Sequence, residues 1–372
     1  MTRTAERIAY VDLAAQHAPL AEELLAAVAG VLEQGQFILG EPVCRFEERF
    51  AELCGTRFAV AVNSGTDALI LSLRALGLGP GDEVITVPNS FIASTSCILM
   101  AGARPRFVDV REDQNLDPAL LESAITPRTK AILPVHLNGW PADMDAILDV
   151  ARRHRLAVVE DCSQAVLGSI QGRRVGSFGN AGCFSLHPLK TLNACGDGGI
   201  VTTNDAALME RVRLLRNLGL QDRDTCVAWS SNSRLDSIQA AILLVKLKYV
   251  HEWTEARRAH AACYRQALAD VPGVQVPMER PGSWAVYHRF MIEADRRDAL
   301  KRFLAERGIE TAVHYAVPIH LQPVAAPLGY GPGSFPMTER QAARVLSLPV
   351  YPELSPAERE DVVQGIREFF RS

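Results

Sequence analysis

From residue 57 onward, short apolar runs take turns with longer stretches whose apolar positions recur at helical spacing. The run in "RFAVAV", residues 58 to 62, predicts a strand; "SGTDALILSLRALG" after it carries leucines, isoleucine and alanines on a helical repeat and ends at the turn "GLGPGD". "EVITV", "RPRFVDV", "KAILPVHL" and "LAVVED" repeat the strand pattern, with helices predicted to begin near Phe91, Pro118 and Met144. Apolar strands alternating with helices imply an α/β fold, a mostly parallel sheet covered by helices on both faces, whose sites lie beyond the carboxyl ends of the strands. After "GIVTTND" a helix is expected over 206 to 217. "LDSIQAAILLVKLKYVHEWTEARRAHAACYRQALADV" then reads as one long helix or a bent pair. It connects to a smaller carboxyl-terminal α/β domain with a strand at "YHRFMIEA", helices at "RDALKRFLAERG" and "SPAEREDVVQGIREFF", and a "TAVHY" strand between. The expected division is a large domain over 1–245 and a small one over 246–372.

Composition narrows the function classes. A chain of 372 residues with 48% hydrophobic side chains can bury a sizeable core. Its 43 acidic and 39 basic residues are interspersed, giving a net charge of -4 and no basic run to neutralise a string of phosphates, so nucleic acid is not an expected partner. Charge interrupts the apolar stretches well before the roughly 20 residues a bilayer requires, so no membrane association is expected. The first residues lack the apolar core of a secretion signal, and the 8 cysteines form no Cys-x-x-Cys pair. A cytoplasmic protein with reduced thiols and no metal is the expectation.

Four groups fall at strand ends. "NSGTDA", 63 to 68, is a strand-to-helix junction where Ser64, Gly65 and Thr66 offer free backbone N–H groups, hydroxyls and the positive helix end, a cradle for phosphate; the same residues also serve as a plain N-cap. Asp161 ends "LAVVED", with Glu160 beside it and Gln164 three residues on. It either caps the next helix or, facing a protonated ring nitrogen, keeps that ring cationic. Phe91 is either core or a plane against which a flat ring stacks. Lys190, in "GCFSLHPLK", lies between two buried-strand patterns, where an amine is either a surface-loop charge or a group whose pKa is lowered for use. Together these are the anchor, electron-sink tuning, ring clamp and Schiff-base amine that pyridoxal 5'-phosphate requires.

With those residues in view, "NSGTDALILSLRALGLGPGDEVITV", "VVEDCSQA", "GCFSLHPLK" with "GDGGIVTTND", and "NSRLDSIQAAIL" resemble the matching blocks of the DegT/StrS-type sugar aminotransferases of the fold-type-I pyridoxal-phosphate superfamily. The resemblance runs from "YVDLAAQ" to "LSLPVYPELS". It implies that Lys190 forms the Schiff base, Asp161 pairs with the pyridine nitrogen, Gln164 bonds the phenolic oxygen, Gly65, Thr66 and Ser185 hold the phosphate, and Phe91 stacks on the ring. It further implies a homodimer with shared sites, Asn232 reaching the neighbouring subunit's phosphate and Arg234 its substrate. Taken alone, the first reads as a turn residue and the second as a solvated charge. His314 and Tyr315 match a pair near the sugar, and "GQFILG", 35 to 40, a loop near the substrate entrance. His187 is given no role.

The function so implied is ping-pong transfer of an amino group from an amino-acid donor, L-glutamate, to a keto sugar carried on a nucleotide. Glutamine-dependent amination of a keto cyclitol is the alternative within enzymes. A non-catalytic, cofactor-binding regulator is the alternative outside them. Sugar dehydration is disfavoured because dehydrating relatives replace the lysine with histidine. A dinucleotide-binding module is disfavoured because "GLGPGD" follows a helix rather than a strand.

Overall fold

A computed structural model describes residues 7–371. Its strands are β1 (Phe58–Val62), β2 (Glu83–Thr86), β3 (Arg104–Phe107), β4 (Thr129–Ile132), β5 (Ala157–Asp161), β6 (Ser169–Ile170), β7 (Arg173–Arg174), β8 (Ala181–Ser185), β9 (Gly199–Thr203), β10 (Val274–Gln275), β11 (Ser283–Trp284), β12 (Phe290–Ala294) and β13 (Val345–Leu348). Seven of them form the central sheet in the order β1-β9-β8-β5-β4-β2-β3. Neighbours are parallel except at β9, which runs antiparallel to β1 and β8.

Side chains alternate across the sheet, and each face has its own core. Val60, Val62, Val159, Cys183 and Val201 pack on one side with the helix Gly65–Ala75; Ala59, Ala61, Phe184 and Ile200 pack on the other with the helix Glu41–Cys54. Burial on both faces is why these strands read as nearly unbroken apolar runs. β1 lies at the sheet edge, and its outer polar groups are taken up. Buried Glu47 accepts the Ala61 N–H at 2.9 Å, and buried Arg216 donates to the Ala61 carbonyl at 2.8 Å while ion-pairing with Glu47. An edge so occupied cannot template another strand.

The carboxyl ends of β1, β5 and β8 open on the same side, and the start of β9 joins them: Val62 pairs with Gly199, and Gly199 with Ser185. Two glycines allow this convergence. A Cβ on Gly65 would lie 2.6 Å from Ser185 Cβ, and one on Gly199 would lie 2.3 Å from the Ser64 carbonyl carbon.

The carboxyl-terminal part contributes the antiparallel sheet β10-β12-β13 over a cluster including Tyr264, Tyr287, Phe290, Leu300 and Ile366, into which Ile8 and Trp140 also pack. β11 pairs with β6, tying residues 283–284 to the central part of the chain. The long apolar segment resolves into the bent pair, Ser237–Lys246 and Val250–Leu268. The helix expected near Pro118 is one 3-10 turn and one α-turn, ending at Ala124. "TAVHY" is not a strand: Ala312 alone bridges to Ser347, after which the chain turns at His314 and Tyr315. β13 takes the place beside β12 instead. Among the described residues no helix is long and apolar enough to cross a membrane.

Candidate active site

One cleft of about 400 Å³ gathers Ser64, Gly65, Thr66, Phe91, Asp161, Gln164, Ser185, Lys190, His314 and Tyr315. Ten of the residues singled out in the sequence therefore share a single space. At its floor the helix Gly65–Ala75 starts from Ser64, whose Oγ accepts the Asp67 N–H at 3.1 Å. The cap and the cradle are thus not alternatives: Ser64 caps, while Gly65 and Thr66 face the cleft beside Ser185.

Asp161, the last residue of β5, is 4% exposed. It accepts hydrogen bonds from Ser94 Oγ at 2.8 Å and Ser163 N at 3.1 Å, leaving acceptor capacity toward the cleft. Gln164 Oε1 accepts from Asn138 N at 2.7 Å and Arg289 Nη1 at 3.3 Å. Its amide nitrogen is then the end left to donate inward. Phe91 is 53% exposed, which removes the core reading, and its ring lies 5.9 Å from that of Tyr315.

Lys190 sits in the loop between β8 and β9, its backbone N–H bonded to His187 O at 2.8 Å. Its ammonium has no hydrogen-bond partner among the described residues. Burial, then the nearby Arg289 charge, lowers its pKa to about 8, with Asp161 opposing. A sizeable neutral fraction near physiological pH is what a nucleophilic amine requires.

Among the cleft residues that sequence reasoning missed are His288 and Arg289. They precede β12 in "YHRF", read as strand core; two adjacent polar residues there were the available signal. Arg289 is 9% exposed and has no acidic partner among the described residues; its neighbours are Gln164 Oε1 and Tyr315 OH, the latter at 3.4 Å. Its charge, after burial, depresses His288 well below the usual imidazole range and His314 to about 3. Both histidines are thereby neutral. His314 Nδ1 shares a hydrogen bond of 2.9 Å with Ser347 Oγ, whereas both ring nitrogens of His288 are buried without a partner. Asp197 and His187 also reach the cleft.

Asn232 and Arg234 lie outside this chain's cleft. Asn232 is exposed and Arg234 donates to Asn217 Oδ1 at 3.0 Å. The loop 35–40 is likewise not part of its lining. One cluster with metal-ligand chemistry, His136, Glu160 and Cys162, is buried. Two of its three members are already engaged: Glu160 accepts from three backbone N–H groups at 2.8 Å and faces His136 Nε2 at 3.1 Å, while His136 Nδ1 accepts from Ala142 N.

The donor set fits pyridoxal phosphate. Free backbone and hydroxyl donors meet where a Cβ at Gly65 would intrude, a carboxylate and an amine share the cleft, and an orphaned imidazole lies within it.

Comparison with known proteins gives the same answer. The profile of the DegT/DnrJ/EryC1/StrS aminotransferase family matches residues 19–367. The dTDP-3-amino-3,4,6-trideoxy-alpha-D-glucose transaminase of Streptomyces venezuelae is 45% identical over 364 residues, 98% of this chain and 96% of that one. The crystal structure of S. venezuelae DesV in complex with a ketimine intermediate superposes with a TM-score of 0.97 at 45% identity, covering 98% and 99% of the two chains. Bacillus subtilis NtdA with bound cofactor PMP superposes at 0.93 with 30% identity, covering 100% of this chain and 87% of that one. The chain belongs to the DegT/DnrJ/EryC1/StrS aminotransferase family and is a pyridoxal-phosphate-dependent aminotransferase.

Proposed function

We propose that the enzyme transfers the amino group of L-glutamate to a keto sugar carried on a nucleotide, in two half-reactions that share one site. The observation that carries this reading is Lys190: an amine with a pKa of about 8, unpaired, in the same cleft as Asp161 and the Gly65–Thr66 turn. The nucleotide-sugar acceptor is supported by the Streptomyces relative, a transaminase of a dTDP-linked sugar.

When bound, pyridoxal phosphate supplies the aldehyde that carries the amino group and a conjugated ring that spreads the charge left by the departing α-hydrogen. Gly65, Thr66 and Ser185 would hold its phosphate, and Phe91 would lie against its ring. The Asp161 carboxylate, kept from water and bonded by Ser94 and Ser163, favours a proton on the ring nitrogen. Gln164, its oxygen engaged by Asn138 and Arg289, would donate its amide to the phenolic oxygen. With the cofactor bound, Lys190 Nζ in its neutral form would take the proton from the donor's α-carbon and deliver it to the cofactor carbon on the other side of the amino nitrogen, and would reverse those moves for the sugar.

Arg289 supplies the donor's anchor. A buried guanidinium without a carboxylate partner is unfavourable unless a ligand provides one, and an α-carboxylate matches its planar fork. His314, neutral and oriented by Ser347, together with Tyr315, faces the sugar. Asn232 and Arg234 complete the neighbouring copy's site in a homodimer. Support for that assembly is the apolar surface around them: Leu218 is 41% exposed, Val227 52% and Trp229 91%.

The test is stepwise. Purified enzyme is mixed with L-glutamate and the cofactor spectrum followed; conversion to the amine form supports an aminotransferase and its absence rules out glutamate as donor. Addition of keto sugar nucleotides should restore the starting spectrum. Restoration by keto cyclitols alone, with glutamine as donor, would overturn the sugar reading.

A further inference from the structure

The chain has five lysines: Lys130, Lys248 and Lys301 are exposed, Lys190 opens on the cleft, and Lys246 is 0% exposed. Lys246 closes the helix Ser237–Lys246 and does not line the cleft. It has no carboxylate partner among the described residues. Its ammonium donates instead to Asn193 O at 2.9 Å and Asn193 Oδ1 at 2.5 Å and lies 2.7 Å from His17 Nε2, with Cys195 Sγ at 3.7 Å. Burial of a lone cation costs more than a hydrophobic residue of the same size would, so the hydrogen bonds must serve a purpose that packing cannot.

What they secure is Asn193. With both its oxygens held by one ammonium, the Asn193 amide nitrogen is aimed in a fixed direction, donating to Lys190 O at 3.1 Å and to Gln16 Oε1 at 3.0 Å. The Lys190 peptide is then held on both sides, through its own N–H to His187 O and through its carbonyl to Asn193, while Ala194 N bonds Leu186 O at 2.7 Å to close the loop. We propose that Lys246, acting through Asn193, is the positioning residue for Lys190: it fixes the backbone from which the cleft amine projects. The inference rests on Lys190 being the amine that binds the cofactor. It assigns Lys246 no contact with cofactor or substrate.

A purely structural anchor for residues 16 and 17 would change thermal stability and leave Lys190 as it was. The full-length enzyme and the variants Asn193→Ala, Lys246→Met, Lys246→Gln and the double Lys246→Met/Asn193→Ala are compared by three readouts. These are the rate at which borohydride traps pyridoxal phosphate on Lys190, scored by peptide mass, the kcat and KM of the glutamate half-reaction, and Tm. Asn193→Ala is expected to slow trapping and kcat by about 10-fold with donor KM within about twofold, because a small displacement of a reacting amine is felt in rate before binding. Lys246→Met should match it, the double variant should be no slower than the slower single one, and Lys246→Gln, which keeps a donor to Asn193 Oδ1, should recover most of the rate. Should Lys246→Met fail to fold, Asn193→Ala decides. A normal trapping rate in Asn193→Ala, whatever its Tm, overturns the proposal. Absence of trapping on Lys190 in the parent enzyme would instead refute the cofactor assignment on which it stands.

Discussion

Glu160 and Asp161 are neighbours on β5, both carboxylates and both nearly inaccessible, at 0% and 4% exposure. Strand alternation sends them to opposite faces of the sheet, and their surroundings then diverge. Glu160 is saturated, with three backbone N–H groups of the 176–179 turn and His136 occupying its oxygens. Asp161 has two donors and opens on a cleft. A carboxylate with its bonds complete holds structure together, and one left partly unbonded is available to a ligand.

That contrast can be broken by experiment. The largest effect belongs to the amine facing Asp161: Lys190→Ala is expected to lower transamination by roughly 10⁴-fold or more and to abolish the imine absorbance of bound cofactor. Asp161→Asn should cost about 10²- to 10⁴-fold in turnover while Tm stays within a few degrees of the parent. Arg289→Met should weaken kcat/KM for glutamate by about 100-fold, with the acceptor half-reaction less affected. Glu160→Gln is the converse case. It should destabilise by about 2–4 kcal/mol in denaturant unfolding and leave kcat of the folded enzyme within about threefold. Turnover lost and stability kept in that variant would erase the distinction between the two carboxylates.

The smallest effect concerns pH. Because the Lys190 pKa is lowered to about 8 in the fold from 10.5, its charge opposes folding fully below pH 8, less as pH rises, and not at all above 10.5. Lys190→Met should stabilise cofactor-free enzyme at pH 7 by about 1–3 kcal/mol, an advantage gone near pH 11. Imine formation in the parent should rise through pH 8. Arg289→Met moves that midpoint up and Asp161→Asn moves it down, since the first charge lowers the lysine pKa and the second raises it.

The parallel sheet was legible because strands buried on both faces carry long apolar runs, and Lys190, Asp161 and the Gly65–Thr66 turn because each interrupts or ends such a run. Arg289 and His288 were not legible, since they directly precede a strand whose apolar residues mask them. "TAVHY" has the β-branched and aromatic residues of a strand, yet its place beside β12 is filled by β13, a competition no local pattern expresses. The antiparallel course of β9 is also invisible locally, because direction in a sheet is decided by which strands find each other.

That course has a consequence for how the protein comes to be folded. With β8 and β9 adjacent in the chain and in the sheet, the segment bearing Lys190 is the arch of a hairpin, closed by nearby residues and needing no long crossover. Its formation demands little loop entropy, so this arch can take shape ahead of the distant pairings of β1 and β5 that finish the site around it.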